Sequence, residues 1–135
     1  MHPSQDLSVA AQADFVPQQS DPDKKRYVFS YTITIKNSSN RACQLLSRHW
    51  VIQDSNHKTE EVYGEGVVGE QPIIKPGETY SYTSGAILET EMGTMEGRYF
   101  MIDTVEECGD DIEFKNEQFE ISVPKFLLSI PRVLH

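Results

Sequence analysis

The chain has 135 residues, 38% hydrophobic and 24% charged, with a formal net charge of −9. That length suits one domain, spanning 1–135, which buries roughly two-thirds of its unfolded-chain surface without metal or disulfide support. The composition is that of a globular chain, the acidic balance disfavours nucleic acid as a partner, and no apolar run approaches the ~20 residues of a membrane span.

Residues 1–7 read as a flexible N-terminus without the basic start and apolar core of a signal peptide, so the cytoplasm is the expected location. Residues 7–16 form a candidate first strand, and the polar stretch 18–25, with Pro22, reads as a mobile connection. Residues 26–36 carry the clearest signal. Tyr27, Phe29, Tyr31, Ile33 and Ile35 alternate with Val28, Ser30, Thr32, Thr34 and Lys36. This period of two, in aromatic and β-branched residues, predicts a half-buried antiparallel strand. A turn at 37–40 precedes a second alternating stretch, 42–54, around Leu46, His49, Trp50 and Ile52. Residues 54–57 turn the chain into a short returning strand at 58–63, and 64–72 is a loop. Residues 75–78 (KPGE) suit a type II turn with Gly77 at the positive-φ position.

The stretch 79–85 alternates Tyr80 and Tyr82 with small polar residues and predicts another strand. Residues 86–97 read as mixed, with Gly93 and Gly97 as breakers, before a short apolar strand at 98–103. Strands are also expected at 119–123 and, after Pro124, at 125–130, the last of them at an edge. Between the strands at 98–103 and 119–123, 104–116 is an acidic loop or hairpin insertion: Glu106, Glu107, Asp110, Asp111 and Glu113 face a single base, Lys115. No window offers a capped helical stripe. Short strands with frequent turns point to an all-β antiparallel fold, a β-sandwich of two sheets or a barrel.

The chemistry-bearing patterns are sparse. Gly64, Gly66 and Gly69 match GxGxxG, but the prolines at 72 and 76 leave no room for the helix that a dinucleotide site requires. What remains is a candidate anion-binding loop whose backbone N–H groups would hold phosphate or pyrophosphate, against a glycine loop demanded by strand geometry alone. Arg48 and His49 form a candidate partner surface. Strand alternation sets His49 opposite Arg48 and Trp50, and Trp50 is either a core anchor or an interface hot spot. Asp110, Asp111 and Glu113 are candidate weak ligands for Mg²⁺, Ca²⁺ or Co²⁺ through oxygen. His2, His49, His57 and His135 lie on separate elements without metal-ligand spacing. No GxSxG elbow is present, Cys43 and Cys108 have no histidine near them in sequence, and they form no CxxC pair. Catalytic residues and cofactors are accordingly assigned to none.

Eight segments, in order, resemble the ApaG family, also called CorD: 26–37 (RYVFSYTITIKN), 47–52 (SRHWVI), 64–72 (GEGVVGEQP), 76–80 (PGETY), 82–85 (YTSG), 93–97 (GTMEG), 101–103 (MID) and 124–126 (PKF). The match runs from about residue 8 to 135. The resemblance implies an immunoglobulin or fibronectin type III-like sandwich in a stand-alone bacterial protein. It also implies relatives in eukaryotic F-box proteins and a polymerase-interacting protein, where the domain is a binding module. The family's second name implies a link to cobalt resistance and magnesium efflux, with no established catalytic activity. Residues 105–115 are longer and more acidic than the family's usual turn.

The expectation is a non-enzymatic protein-interaction module, monomeric or homodimeric, with an unidentified protein partner and neither nucleic acid nor membrane. The alternative is a small-ligand binder, with phosphate at the glycine loop or divalent cations at carboxylates.

Overall fold

The structure is a computed structural model that describes residues 6–104 and 118–131. The alternating segments become strands. β1 (Leu7–Phe15), β2 (Tyr27–Asn37) and β6 (Thr79–Leu88) form one antiparallel sheet in the order β1-β2-β6. β3 (Ala42–Asp54), β4 (Thr59–Glu65), β7 (Met92–Thr104) and β8 (Gln118–Ser129) form the second, in the order β4-β3-β7-β8, and the short β5 (Ile73–Ile74) adds to β3. The two facing sheets make the fibronectin type III-like sandwich that the family resemblance implies.

The alternation in β2 places Phe29, Tyr31, Ile33 and Ile35 in the core, where they share one cluster with Leu45, Trp50, Tyr99 and Met101. Trp50 is 2% exposed, and Tyr31, Tyr99 and Phe126 meet it edge-on, with ring centroids 5.6, 6.0 and 6.0 Å away. That geometry suits the aromatic quadrupoles and makes Trp50 the core anchor. Asn37 is fully buried and fully bonded. Its Nδ2 donates to the carbonyls of Arg41 and Ile74, both at 2.8 Å, and its Oδ1 accepts from the Ser39 N–H and Oγ. Through this side chain the end of β2 holds the turn into β3 and the end of β5. The 75–78 turn forms as expected, with Glu78 N–H on the Lys75 carbonyl at 2.9 Å and Gly77 at φ 81°.

Four details differ from the expectation. Gly93 and Gly97 do not break a strand; both lie within β7. A Cβ at Gly93 would meet the Gln53 carbonyl at 2.5 Å, and one at Gly97 the His49 carbonyl at 2.3 Å and the Trp50 ring at 2.8 Å. Close approach of β3 demands these glycines, not turning. Second, 118–129 is a single strand running through Pro124. Between the Met95↔Phe126 and Gly97↔Val123 pairs β8 advances three residues to two on β7. Pro124 and Lys125 fall in this bulge on an edge strand, where a missing N–H costs no ladder bond. Third, 18–25 carries two 3-10 turns, Pro17–Gln19 and Pro22–Lys24, and Ser20 Oγ bridges the Val16 carbonyl and the Val28 N–H. Fourth, the alternation in β3 is interrupted at Leu46, where the pairing with β7 slips between Leu45 and Ser47.

β1 begins at Leu7, which is buried, at the end of the stretch expected to be flexible. The acidic segment 105–115, with Cys108, Asp110, Asp111 and Glu113, lies outside the described residues.

The two long sides of the sandwich are unlike. On one, β1 lies against β8 and closes the gap between the sheets. On the other, the edges of β4 and β6 remain apart, and the gap between them opens as a cleft.

Candidate functional site

The cleft has a volume of about 370 Å³. β3 supplies Arg48, Trp50 and Ile52 from its inner face, β4 supplies Val62, and Tyr31 and Tyr82 reach it from the opposite sheet. The glycine-rich loop, with Val67, Val68 and Gly69, forms one end.

That loop is a tight hairpin. Val67 and Glu70 exchange N–H···O bonds of 2.8 and 3.0 Å around Val68 (φ 49°) and Gly69 (φ 79°). Two consecutive positive φ angles define a type I′ turn, which matches strand twist and favours glycine. Gly66 also has a positive φ, 61°, and a Cβ there would strike the Glu70 carbonyl at 2.2 Å. Its N–H donates to the Leu46 carbonyl at 2.7 Å. The N–H groups of Gly66, Val67 and Glu70 are therefore all spent on carbonyls inside the protein, which leaves few to converge on an anion.

Gly64 has a different task. It pairs with Arg48 across β3 and β4. A Cβ at Gly64 would lie 2.6–2.7 Å from three atoms of the Arg48 guanidinium, so only glycine lets that group lie flat on the backbone. Arg48 Nη1 then donates to the Gly66 carbonyl at 2.7 Å and the Glu65 carbonyl at 3.1 Å. The glycine motif thus fixes a cation at the mouth of the cleft.

Deeper in, the hydroxyls of Tyr82 and Tyr99 bond to each other. Burial pushes both phenols well above their ordinary range, and for Tyr99 the neighbouring Tyr82 adds to the effect. Both stay protonated at neutral pH and serve as hydrogen-bonding groups, not bases. The Trp50 indole N–H is buried with no acceptor among the described residues.

His49 faces the opposite way, as alternation requires, so Arg48 and His49 cannot contribute to one contact patch. On the outer face of the larger sheet His49 lies under Tyr63, whose ring stacks on it at 4.1 Å and 4°. Arg98 Nε donates to His49 Nδ1 at 3.2 Å. Arginine only donates, so the imidazole proton sits on Nε2, which meets Glu61 at 3.1 Å. Arg98 Nη1 continues the row to Glu120 at 3.2 Å. This is a cross-strand polar row in which His49 is held rather than presented.

Cys43 is buried, and burial followed by the Asp103 carboxylate pushes its thiol up to about 11. Arg41 pairs with Asp103 at 2.5 Å. Among the described residues no three His, Cys, Asp or Glu side chains converge as a metal site. No helix among them is long and apolar enough to cross a membrane. Sequence reasoning left the cleft unseen, because Tyr31, Tyr82 and Arg48 meet only when the two sheets face each other. The one legible signal was a glycine opposite an arginine on adjacent strands.

The sequence pattern of the ApaG domain family matches residues 17–103. Protein ApaG of Aromatoleum aromaticum is 49% identical over 129 residues, covering 96% of this chain and 94% of that protein. Protein ApaG of Proteus mirabilis is 46% identical over 135 residues, the whole of both chains. A crystal structure of a Bordetella pertussis protein described as ApaA superimposes with a TM-score of 0.84 at 42% identity, covering 95% of this chain and 96% of that one. Near-complete coverage in both directions, with a pattern matched over most of the chain, places the protein: it belongs to the ApaG family.

Proposed function

We propose that this chain is a non-enzymatic cytoplasmic interaction module that takes an extended segment of a protein partner along its open side, between β4 and β6. The observation that carries this reading is the asymmetry of the sandwich: one side is closed by β1 against β8, while two strand edges flank a cleft of about 370 Å³ on the other. Unpaired edges offer main-chain hydrogen bonds, and a pocket beside them selects side chains. The titratable groups lining the cleft support binding over catalysis. The Arg48 guanidinium and the Tyr82 phenol, whose proton burial holds tightly, supply no base, and Glu65 is exposed at the rim. On this reading the family's link to cobalt resistance and magnesium efflux runs through a partner protein.

A second reading, an anionic small ligand at the glycine-rich loop, is favoured by one observation: the loop holds Arg48 beside the cleft. The attracting group is then the side chain rather than the loop's backbone.

Selection of binders from a random peptide library on the folded chain tests the main reading. Ser84, a half-buried cleft residue on β6, offers a plug. Peptides that bind the wild type and lose at least about tenfold in affinity, roughly 1.4 kcal/mol, to a folded Ser84→Trp variant support it. Peptides that bind both equally, or no enrichment at all, reject it.

A further inference from the structure

Arg48 has an unusual electrostatic position. The chain carries a formal net charge of −9, and Arg41 and Arg98 are each paired with a carboxylate, Asp103 and Glu120. Arg48, half-buried in the cleft wall, has no carboxylate within ion-pair distance among the described residues. Its only partners there are two backbone carbonyls, both taken by Nη1. The Nε and Nη2 N–H groups, the edge that matches a carboxylate side-on, have no acceptor among the described residues.

From this we propose that the cleft is a binding site for an apolar carboxylate: two carboxylate oxygens on the Nε–Nη2 edge of Arg48, with the attached aliphatic or aromatic group between Trp50, Ile52 and Val62. Three observations choose this class. The guanidinium is planar and is pre-set by Gly64, whose missing Cβ it fills. The space is at the small end of ligand sites, enough for one side chain and its acid group. A phosphate dianion would meet a single cation with Glu65 also at the rim, whereas a monocarboxylate is balanced by one guanidinium. The carboxylate belongs either to the C-terminal end of a partner chain or to a free organic acid. The first source deepens the interaction reading and rests on it; the second stands without it.

The test is a titration of the full ¹⁵N-labelled chain with N-acetylphenylalanine, phenylacetate, the amides of both, and inorganic phosphate. The Trp50 indole N–H and the amides of Gly64 and Gly69 are followed. Saturable shifts at these groups for the acids, with amides and phosphate at least tenfold weaker, support the site. Arg48→Gln should weaken acid binding at least tenfold, whereas Lys58→Gln, at the far end of the same open side, should leave it unchanged. Gly64→Ala is the second variant. It keeps the arginine and displaces its guanidinium, and should weaken the acids similarly even if Arg48→Gln unfolds. Acid and amide binding alike, phosphate binding as well as the acids, or an acid response that survives Gly64→Ala each overturns the proposal. Preference for N-acetylphenylalanine assigns a chain end, and preference for phenylacetate a free acid. If library peptides bind the open side with their C-termini amidated and regardless of Arg48, the interaction reading survives and this proposal does not. If the acids bind and no peptide does, the reverse holds.

Discussion

Substituting Gly97 tests the strand assignment that sequence patterning missed. An ideal Cβ at this position lies 2.3 Å from the His49 carbonyl oxygen and 2.8 Å from Cε3 of Trp50. Relief of the first contact alone requires β3 and β7 to separate by roughly 1 Å where they pair Trp50 with Gly97, in the middle of the larger sheet. The second contact is with a ring held edge-on by three aromatic neighbours, so it cannot swing aside cheaply. Overpacking of this kind costs about 1–3 kcal/mol, occasionally more. With rigid obstacles on both sides Gly97→Ala belongs at the upper end, about 3 kcal/mol. For a domain of this size that lowers the melting temperature by roughly 10–15 °C. Urea unfolding followed by Trp50 fluorescence measures it. A loss below about 1 kcal/mol, with the indole environment unchanged, would refute the argument that glycine is there for close approach.

Trp50→Ala removes the core anchor and should cost about 3–5 kcal/mol in urea unfolding followed by circular dichroism; a loss under about 1 kcal/mol would place Trp50 outside the core. Asn37→Ala strands the Ile74 carbonyl and the Ser39 N–H, while Ser39 Oγ keeps the Arg41 carbonyl, with an expected loss of about 3 kcal/mol. Alkaline pH should destabilise the fold. Tyr82 and Tyr99 hold their protons in the folded state beyond the pH, ~10, at which the unfolded chain releases them. Their contribution is therefore complete below that pH and is lost as pH rises above it, at up to ~1.4 kcal/mol per pH unit per group. Tyr99→Phe should flatten this limb in pH-dependent urea titrations, and an unchanged slope would contradict the burial of the phenol. In a Cys108→Ser background, Cys43, with its thiol pushed up to about 11, should resist a disulfide reagent at pH 8 until urea unfolds the chain.

The legibility of the fold tracks which forces are local. Alternation in 26–36 and 79–85 exposed β2 and β6 because each has one apolar face, and the prediction that Gly77 takes a positive φ needed only turn chemistry. Gly93, Gly97 and Pro124 misled because their roles depend on what lies across the ladder: a carbonyl, an indole ring and a bulge opposite β7. The site followed the same division. GxGxxG was visible as a pattern, but its three glycines serve two different ends, a guanidinium seat at Gly64 and positive-φ positions at Gly66 and Gly69. That Arg48 and His49 face apart was legible from strand alternation alone, but what each side chain meets across the ladder was not.

Amide hydrogen exchange of the full chain, alone and saturated with a library-selected peptide, bears most directly on the open side as the working surface. Protection should rise along the outer edges of β4 and β6 and at the 66–70 hairpin, while β1 and β8 exchange as before. Protection that rises instead around Tyr63, Arg98 and Phe100 on the outer sheet face, with the β4 and β6 edges unaltered, would contradict the account.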